Sequence, residues 1–390
     1  MKKLKTIVVI DNLHTGGVAT SLYNFLHFVH NTQDIHLMVF NEDCIDRTKI
    51  PDSVKVLKPN RLLHVLGKNH SEIKQESFFL MIYRLVMIFI ARYVNGVVSR
   101  NLLWPFIPKI GEYDLAIAYA QDDRYKSISK GCIDYVVKKV NAHHRAVIVH
   151  CDYKNFGGYD SRQTKMFNRL DNILCVSQSC VSSFVECFPE LKHKTIALEN
   201  FTNVNEIRQK AGEGVEYPKD KVNFVSVCRL SSVKGLDRTI RAFAKIYQSG
   251  ITNFTWTIVG DGPEYNLLNK LVEEEHLTLQ ISFVGNKDNP YPYIKNASCF
   301  LLPSIHEAAP MVFGEAASLG IPILSTETCS AIEFVQKRGY GLVVSNNDEG
   351  ILEGLRKIIL DRDHKTNIAI DNIDINKWAN SQFNDFIRLV

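Results

Sequence analysis

Two carboxylates and two cations are the residues of this 390-residue chain best placed by type and spacing to do chemistry. In FLLPSIHEAAPMVFGEAASLG, Glu307 follows an apolar run and a Pro-Ser turn, and Glu315 comes eight residues later in a helical pattern. That spacing predicts one acid in a strand-to-helix loop and the other about one to two turns into the helix. Between them Ala308, Ala309 and Met311 bring backbone N–H groups to a helix start, where an anion or a sugar hydroxyl is favoured. Carboxylates suit a hydroxyl-rich ligand because they accept hydrogen bonds from vicinal hydroxyls. In NFVSVCRLSSVKGLDRTIRAF, Arg229 ends an apolar run and Lys234 stands five residues on, before a helix marked by Ser231, Ser232 and Gly235. Two cations at a strand end beside a helix start form a clamp for a diphosphate. Taken singly, all four could equally be solvated surface charges.

Other strand ends carry less specific signals. The first apolar run leads into DNLHTGGVATSLYNFL, where Gly16 and Gly17 turn the chain into a helix. Such a turn either holds a phosphate or sugar hydroxyl or is simply tight. It is not GxGxxG, and no acid ends the second run, LMVFN, which disfavours a dinucleotide dehydrogenase. In VGDGPE, Asp261 caps a helix as readily as it touches a ligand. His150 closes AVIVHCDY, with Asp152 and Tyr153 behind it. A lone histidine there is either structural or part of a site.

Elements that could position these residues alternate along the chain. Strands are expected at 5–10, 35–40, 54–58, 114–119, 145–150, 172–177 and 194–199, then at 223–228, 255–259, 281–284, 298–302, 322–325 and 341–344. Helical patterns cover 18–30, 72–98, 126–140, 178–187, 235–248, 264–275, 311–319, 328–337 and 348–361. Apolar strands alternating with helices imply parallel sheets covered on both faces. We expect an α/β protein with two Rossmann-like, doubly wound domains facing a cleft, with ligands beyond the carboxyl ends of the strands. The first domain would span 1–200 and the second 222–374, with polar 201–221 as linker. The last helix, within 375–390, would pack back on the first domain.

Composition sets bounds. The length suits two domains, and 45% hydrophobic with 23% charged residues suits well-filled globular cores. The net charge of +4 is uneven: residues 1–200 hold 26 basic against 19 acidic residues, leaving 20 against 23 beyond. Most of the excess falls between Val54 and Lys109. It is either a solvated face or an attraction to an anionic membrane surface or acceptor. No nucleic-acid-binding motif accompanies it, so no nucleic acid partner is expected. Nine cysteines form no CxxC or zinc spacing and fit buried free thiols in a reducing cytoplasm. The N-terminal apolar run stops at Asp11, too short for a signal peptide. FFLMIYRLVMIFIARYV (78–94) is interrupted by Arg84 and Arg92 and so fails as a membrane span. It is either a core helix or a helix lying in a membrane interface.

In order and rough distance, Arg-x4-Lys-Gly, VGDGPE and a Pro-Ser turn followed by Glu-x7-Glu-Ala resemble glycosyltransferase family 4, retaining enzymes of the GT-B fold. The Gly-Gly turn and LDNILCVSQSCVSSF…IALEN resemble the family's N-terminal domain, and the likeness covers about 5–360. The departure is Ala308-Ala309 where the family usually has Gly-Phe, a variant similar to bacterial capsule and exopolysaccharide transferases.

The resemblance implies a cytoplasmic hexosyltransferase in cell-surface polysaccharide synthesis, with a UDP-linked sugar as donor and a glycan or lipid-linked glycan as acceptor. It implies that Arg229 and Lys234 bind the diphosphate and Glu315 the ribose, while Glu307 and the backbone of Ala308, Ala309, Pro310, Met311 and Val312 hold the sugar. Val284, Gly285 and Asn286 would flank the base, Gly16 and Gly17 would approach the phosphates, and His150 would lie near the anomeric carbon, with Asp152 and Tyr153 on the acceptor side. No cofactor or metal is expected, because no Asp-x-Asp ends a strand; Asp122 and Asp123 are adjacent in a polar loop. Peripheral contact with the inner membrane face follows from the basic first half. The rivals are a nucleotide-sugar epimerase on the same fold, a catalytically silent binding module and a membrane scaffold.

Overall fold

The computed structural model describes residues 3–14, 16–121, 127–128, 130–156, 161–212, 214–360 and 374–390. Asp122, Asp123 and the polar run 361–373 therefore lie outside the described residues. The chain divides into two compact units, Met1–Phe201 with Trp378–Val390, and Thr202–Lys377.

The first unit is built on β1 (Leu4–Ile10), β2 (Gln33–Val39), β3 (Lys55–Leu57), β4 (Ile110–Ala118), β5 (Val140–Val149), β6 (Asn172–Cys175) and β7 (Thr195–Ala197). They form one parallel sheet in the order β3-β2-β1-β4-β5-β6-β7. The second unit holds β8 (Val222–Val227), β9 (Phe254–Val259), β10 (Ile281–Gly285), β11 (Cys299–Leu302), β12 (Ile323–Thr326) and β13 (Gly341–Val344). Their order is β10-β9-β8-β11-β12-β13, again all parallel. Each apolar run expected as a strand is one, because a central parallel strand is covered on both faces; Ile7, Val8 and Val9 of β1 are all fully buried. Strand order reverses between β1 and β4 in one sheet and between β8 and β11 in the other. Sheets of this kind bind ligands beyond such reversals.

Three expectations change. The helical pattern 72–98 is three helices, His70–Glu76, Phe78–Tyr93 and Gly96–Asn101. Ser77 ends the first and caps the second, and Asn95 caps the third, their side chains accepting from the N–H groups of Leu80 and Val98. The segment 201–221 is no free linker: Thr202 onwards belongs to the second unit and forms the helix Val204–Lys210. Arg208 Nε donates to the Ser318 carbonyl at 3.1 Å, and the Tyr217 hydroxyl to the Tyr293 carbonyl at 3.2 Å. The third change concerns the apolar stretch 78–94. Its helix buries Leu80, Met87 and Ala91 and leaves Phe79 83% and Phe89 63% exposed. Among the described residues no helix is long and apolar enough to cross a membrane.

The last helix, Lys377–Ile387, carries Phe383 against Phe25 (5.7 Å between ring centroids) and Phe201 (6.2 Å) in the first unit. Gln382 Oε1 accepts from the Glu199 N–H at 2.8 Å.

Candidate active site

In the second unit the reversal between β8 and β11 brings two segments together that are far apart in sequence. β8 ends into Arg229, then a short turn at Ser232–Lys234, then Gly235 and the helix Leu236–Gln248. Gly235 is left-handed at φ +62°, and any side chain there would meet the Pro303 carbonyl. Only glycine lets the turn sit this close to the loop after β11. That closeness puts Lys234 Nζ 2.5 Å from Glu307 Oε1, and the same oxygen accepts from Ser304 Oγ at 2.6 Å. Ser330 Oγ donates to the Glu307 carbonyl at 3.3 Å. Arg229 is exposed and has no ion pair among the described residues.

The Glu307 loop runs through Ala308, Ala309 and Pro310, all half-buried, into the helix Met311–Ser318, whose first turn includes Met311 and Val312. Glu315 lies one turn in, as the spacing required. It is buried, has no hydrogen-bond partner among the described residues, and burial alone pushes its carboxyl up to about 7. A buried carboxyl with unused acceptors is the expensive form of this residue unless hydroxyl donors reach it.

The Gly-Asp-Gly turn after β9 serves the backbone. Side chains at Gly260 or Gly262 would collide with the carbonyls of Cys228 and Leu230, and Leu230 donates its N–H to the Asp261 carbonyl at 3.0 Å. The turn thus braces the chain on either side of Arg229. Gly285, at φ +74°, ends β10, and Asn286 beyond it is exposed.

The remaining residues lie in the first unit. The exposed Gly16 and Gly17 open the helix Gly17–Val29, and no neighbour crowds a side chain at Gly16. Ser21 on that helix donates to Asn200 Oδ1 at 2.6 Å and shares a 2.9 Å hydrogen bond with the Tyr119 hydroxyl. His150 follows β5. Its N–H donates to Gln121 Oε1 at 3.0 Å, and its Nε2 lies 3.0 Å from the Tyr119 carbonyl. A carbonyl only accepts, so Nε2 carries the proton and Nδ1 offers the lone pair. Burial lowers the imidazole pKa to about 4, with Lys130 adding to the effect, so the ring is neutral at pH 7. It is shaped to accept a hydrogen bond, not to act as a cation.

Asp152 accepts from Ser183 Oγ and from Asn155 Nδ2, fixing its own loop. Tyr153 is a correction. Its ring is buried against Phe167, Phe184 and Phe188, with centroids 6.1, 5.1 and 5.5 Å away. An aromatic after a polar strand end looks accessible in sequence, but here the cluster takes it into the core. Ser304, Tyr119 and Gln121, which hold Glu307 and His150, were not singled out by sequence; only the Pro-Ser turn hinted at the first.

None of the nine cysteines, all among the described residues, forms a disulfide. Among the described residues no group of three or more His, Cys, Asp or Glu side chains could hold a metal ion.

Residues 207–373 match the family described as "Glycosyl transferases group 1". An uncharacterized glycosyltransferase of Methanocaldococcus jannaschii is 29% identical over 169 residues, 42% of this chain and 41% of that protein. The putative colanic acid biosynthesis glycosyltransferase WcaL of Salmonella typhimurium is 26% identical over 274 residues, 64% of this chain and 63% of that one. The match thus spans less than two thirds of either relative's length. Anabaena HepE, solved with UDP and glucose, shares the fold over 99% of this chain and 100% of its own, with a TM-score of 0.67 at 15% identity.

Proposed function

We propose that the protein, whose residues 207–373 match the glycosyl transferases group 1 family, is a retaining glycosyltransferase using a UDP-linked sugar. The observation that carries this reading is the Lys234–Glu307 pair at the β8/β11 reversal, with the unpartnered Glu315 one helical turn beyond. Breaking the sugar–phosphate bond places negative charge on the departing diphosphate. Arg229 and Lys234 meet that charge, in place of a metal, as fixed cations at a strand end. Glu315 accepts from the ribose hydroxyls. Glu307, held by Lys234 and Ser304, and the N–H groups of the 308–312 turn hold the transferred sugar. Gly285 and Asn286 flank the base. In the first unit, the helix start at Gly16 and Gly17 offers N–H groups to an anion, and His150 Nδ1 accepts from a substrate hydroxyl. Asp152 keeps the acceptor-side loop in shape.

HepE's bound UDP and glucose support a UDP-glucose-type donor, and WcaL supports a cell-surface glycan as product. Incubation with a panel of UDP-sugars, with products read by mass, tests the reading. Donor consumption unaffected by a chelator is expected. Absence of any nucleoside diphosphate binding would overturn it, and an isomerised nucleotide sugar would favour an epimerase.

The acceptor is a lipid-linked glycan at the cytoplasmic face of the membrane, where the protein docks peripherally. The exposed residues Phe78, Phe79, Ile82, Leu85, Val86, Phe89 and Tyr93 recur at helical spacing along Phe78–Tyr93. Lys74 and Arg92, exposed and without a partner among the described residues, flank that face. An apolar stripe bordered by free cations matches an anionic bilayer. Anionic vesicles should retain the wild type at low salt and release the double variant Phe79→Ser, Phe89→Ser. Concentration-dependent dimers lost in that variant, without vesicle binding, would instead assign the face to a second copy.

A further inference from the structure

Glu307 owes its place to more than Lys234 and Ser304. Arg238, one turn into the helix after Gly235, sends Nη2 to the Pro303 carbonyl at 2.7 Å and to Asn346 Oδ1 at 2.6 Å. Asn346 stands two residues beyond β13 and turns its Nδ2 to the Ile305 carbonyl at 3.1 Å and the Glu327 carbonyl at 3.0 Å. The two side chains thus tie the loop after β11, residues 303–307, to the ends of β12 and β13 and to the helix Leu236–Gln248.

Packing alone does not explain this choice of residues. Arg238 Nε is buried with no hydrogen-bond partner, and burial works against the charge of the guanidinium. A methionine would fill the same space without that penalty. Both bonds leave one arm of the guanidinium fork: the two hydrogens of Nη2 reach a carbonyl and an amide oxygen at once, and Nη1 lies 3.5 Å from the Asn346 carbonyl. Only an amide at 346 accepts from that fork while donating to two carbonyls; a carboxylate could do the first and not the second.

We infer that Arg238 and Asn346 are positioning residues that set the 303–307 loop, and through it the Glu307 carboxylate, for the transferred sugar. The inference rests on the proposed transferase reading. It places sugar orientation under the control of two residues outside the proposed donor contacts, while Arg229, which has no ion pair among the described residues, keeps its place for the diphosphate.

The test measures donor turnover per UDP-binding site in wild type, Asn346→Asp, Arg238→Met and Arg238→Lys, with UDP stoichiometry and affinity from calorimetry. Asn346→Asp keeps the size and the Arg238 contact, loses the donated bonds and sets a carboxylate oxygen against the Ile305 and Glu327 carbonyls. It should bind UDP with full stoichiometry and near wild-type affinity, with kcat down roughly 10- to 100-fold, the scale of a misplaced reacting group. Arg238→Met should match it, and Arg238→Lys should recover part of the loss. Asn346→Asp turning over within twofold of wild type per UDP site would overturn the inference. So would a loss of turnover matched by an equal loss of UDP sites, which marks a merely structural role. Should wild type bind no UDP, the transferase reading itself falls, a result distinct from either.

Discussion

The two units handle charge in opposite ways. The first carries the excess of cations by sequence, yet it consumes several of them internally. Lys68 is buried between Asp43 and Glu76, Arg61 pairs with Glu76, Arg84 donates to the carbonyls of Val65 and Lys68, and Arg100 is buried against Asp134. The second unit has fewer basic than acidic residues, yet it sets Arg229 and Lys234 at a strand end, one exposed and the other half-buried. Net charge over a segment says little about charge available to a ligand. What decides is whether the fold leaves the cation exposed: Arg229 is exposed without an ion pair among the described residues, and Lys234 stays half-buried beside Glu307.

The largest effect that would break this contrast is on stability. Although burial opposes its ionisation, Arg100 and Lys138 hold the Asp134 carboxyl below its ordinary range, with Arg100 Nε at 2.8 Å and Lys138 Nζ at 2.6 Å. Asp134→Ala strands a buried guanidinium and should cost about 3–5 kcal/mol in urea unfolding. Turnover per folded molecule should not change. The double variant Arg100→Met, Asp134→Leu should recover most of the loss. If instead Asp134→Ala leaves stability intact and weakens donor binding, the first unit's cations are functional and the contrast fails.

Next in size is the reverse case. Lys234→Ala should cost less stability than Asp134→Ala, because Ser304 still donates to Glu307, and lower turnover by about 10²–10³, the usual loss for one group of a preorganised anion site. Arg229→Ala should weaken UDP binding in the same direction. A variant at either position with full turnover would remove the clamp from the proposal.

How much of this could be read from sequence follows from the range of each interaction. Parallel strands announce themselves through local runs of apolar residues, and their expected places agree with β1 through β13. The Glu307-to-Glu315 spacing places both acids on the loop and helix where they are found. Helix breaks were legible in principle: Ser77 and Asn95 are good N-caps inside one long apolar pattern, but the hydrophobic period masked them. The burial of Tyr153 and the Arg238–Asn346 tie were not legible. The first depends on Phe167, Phe184 and Phe188 arriving from other elements. The second joins positions 108 residues apart and exists only because β13 ends near β11 and β8. Of the basic excess, sequence showed the amount but not its internal pairing.

The smallest effect is the most diagnostic for the second unit, because it concerns an acid that the fold leaves without a counter-ion. Burial raises the Glu315 carboxyl from 4.5 to about 7. An acid whose folded pKa is raised costs stability once its unfolded counterpart ionises: none below about 4.5, growing up to about 7, and constant above. Glu315→Gln should therefore stabilise the unliganded protein at pH 8 and not at pH 4, read as a shift in thermal midpoint at each pH. Binding has the opposite sign. Ribose hydroxyls donate to the ionised carboxylate and not to its protonated oxygen, so the bound pKa falls and a proton leaves on binding below pH 7. Affinity for a UDP-sugar, whose phosphates do not titrate in this range, should fall up to about tenfold per unit as pH drops below 7. Glu315→Gln should bind more weakly at pH 8 and lose the pH dependence. If the variant keeps the wild-type pH profile, the titrating group is another residue and Glu315 is only a buried acid of the helix, whatever its effect on stability.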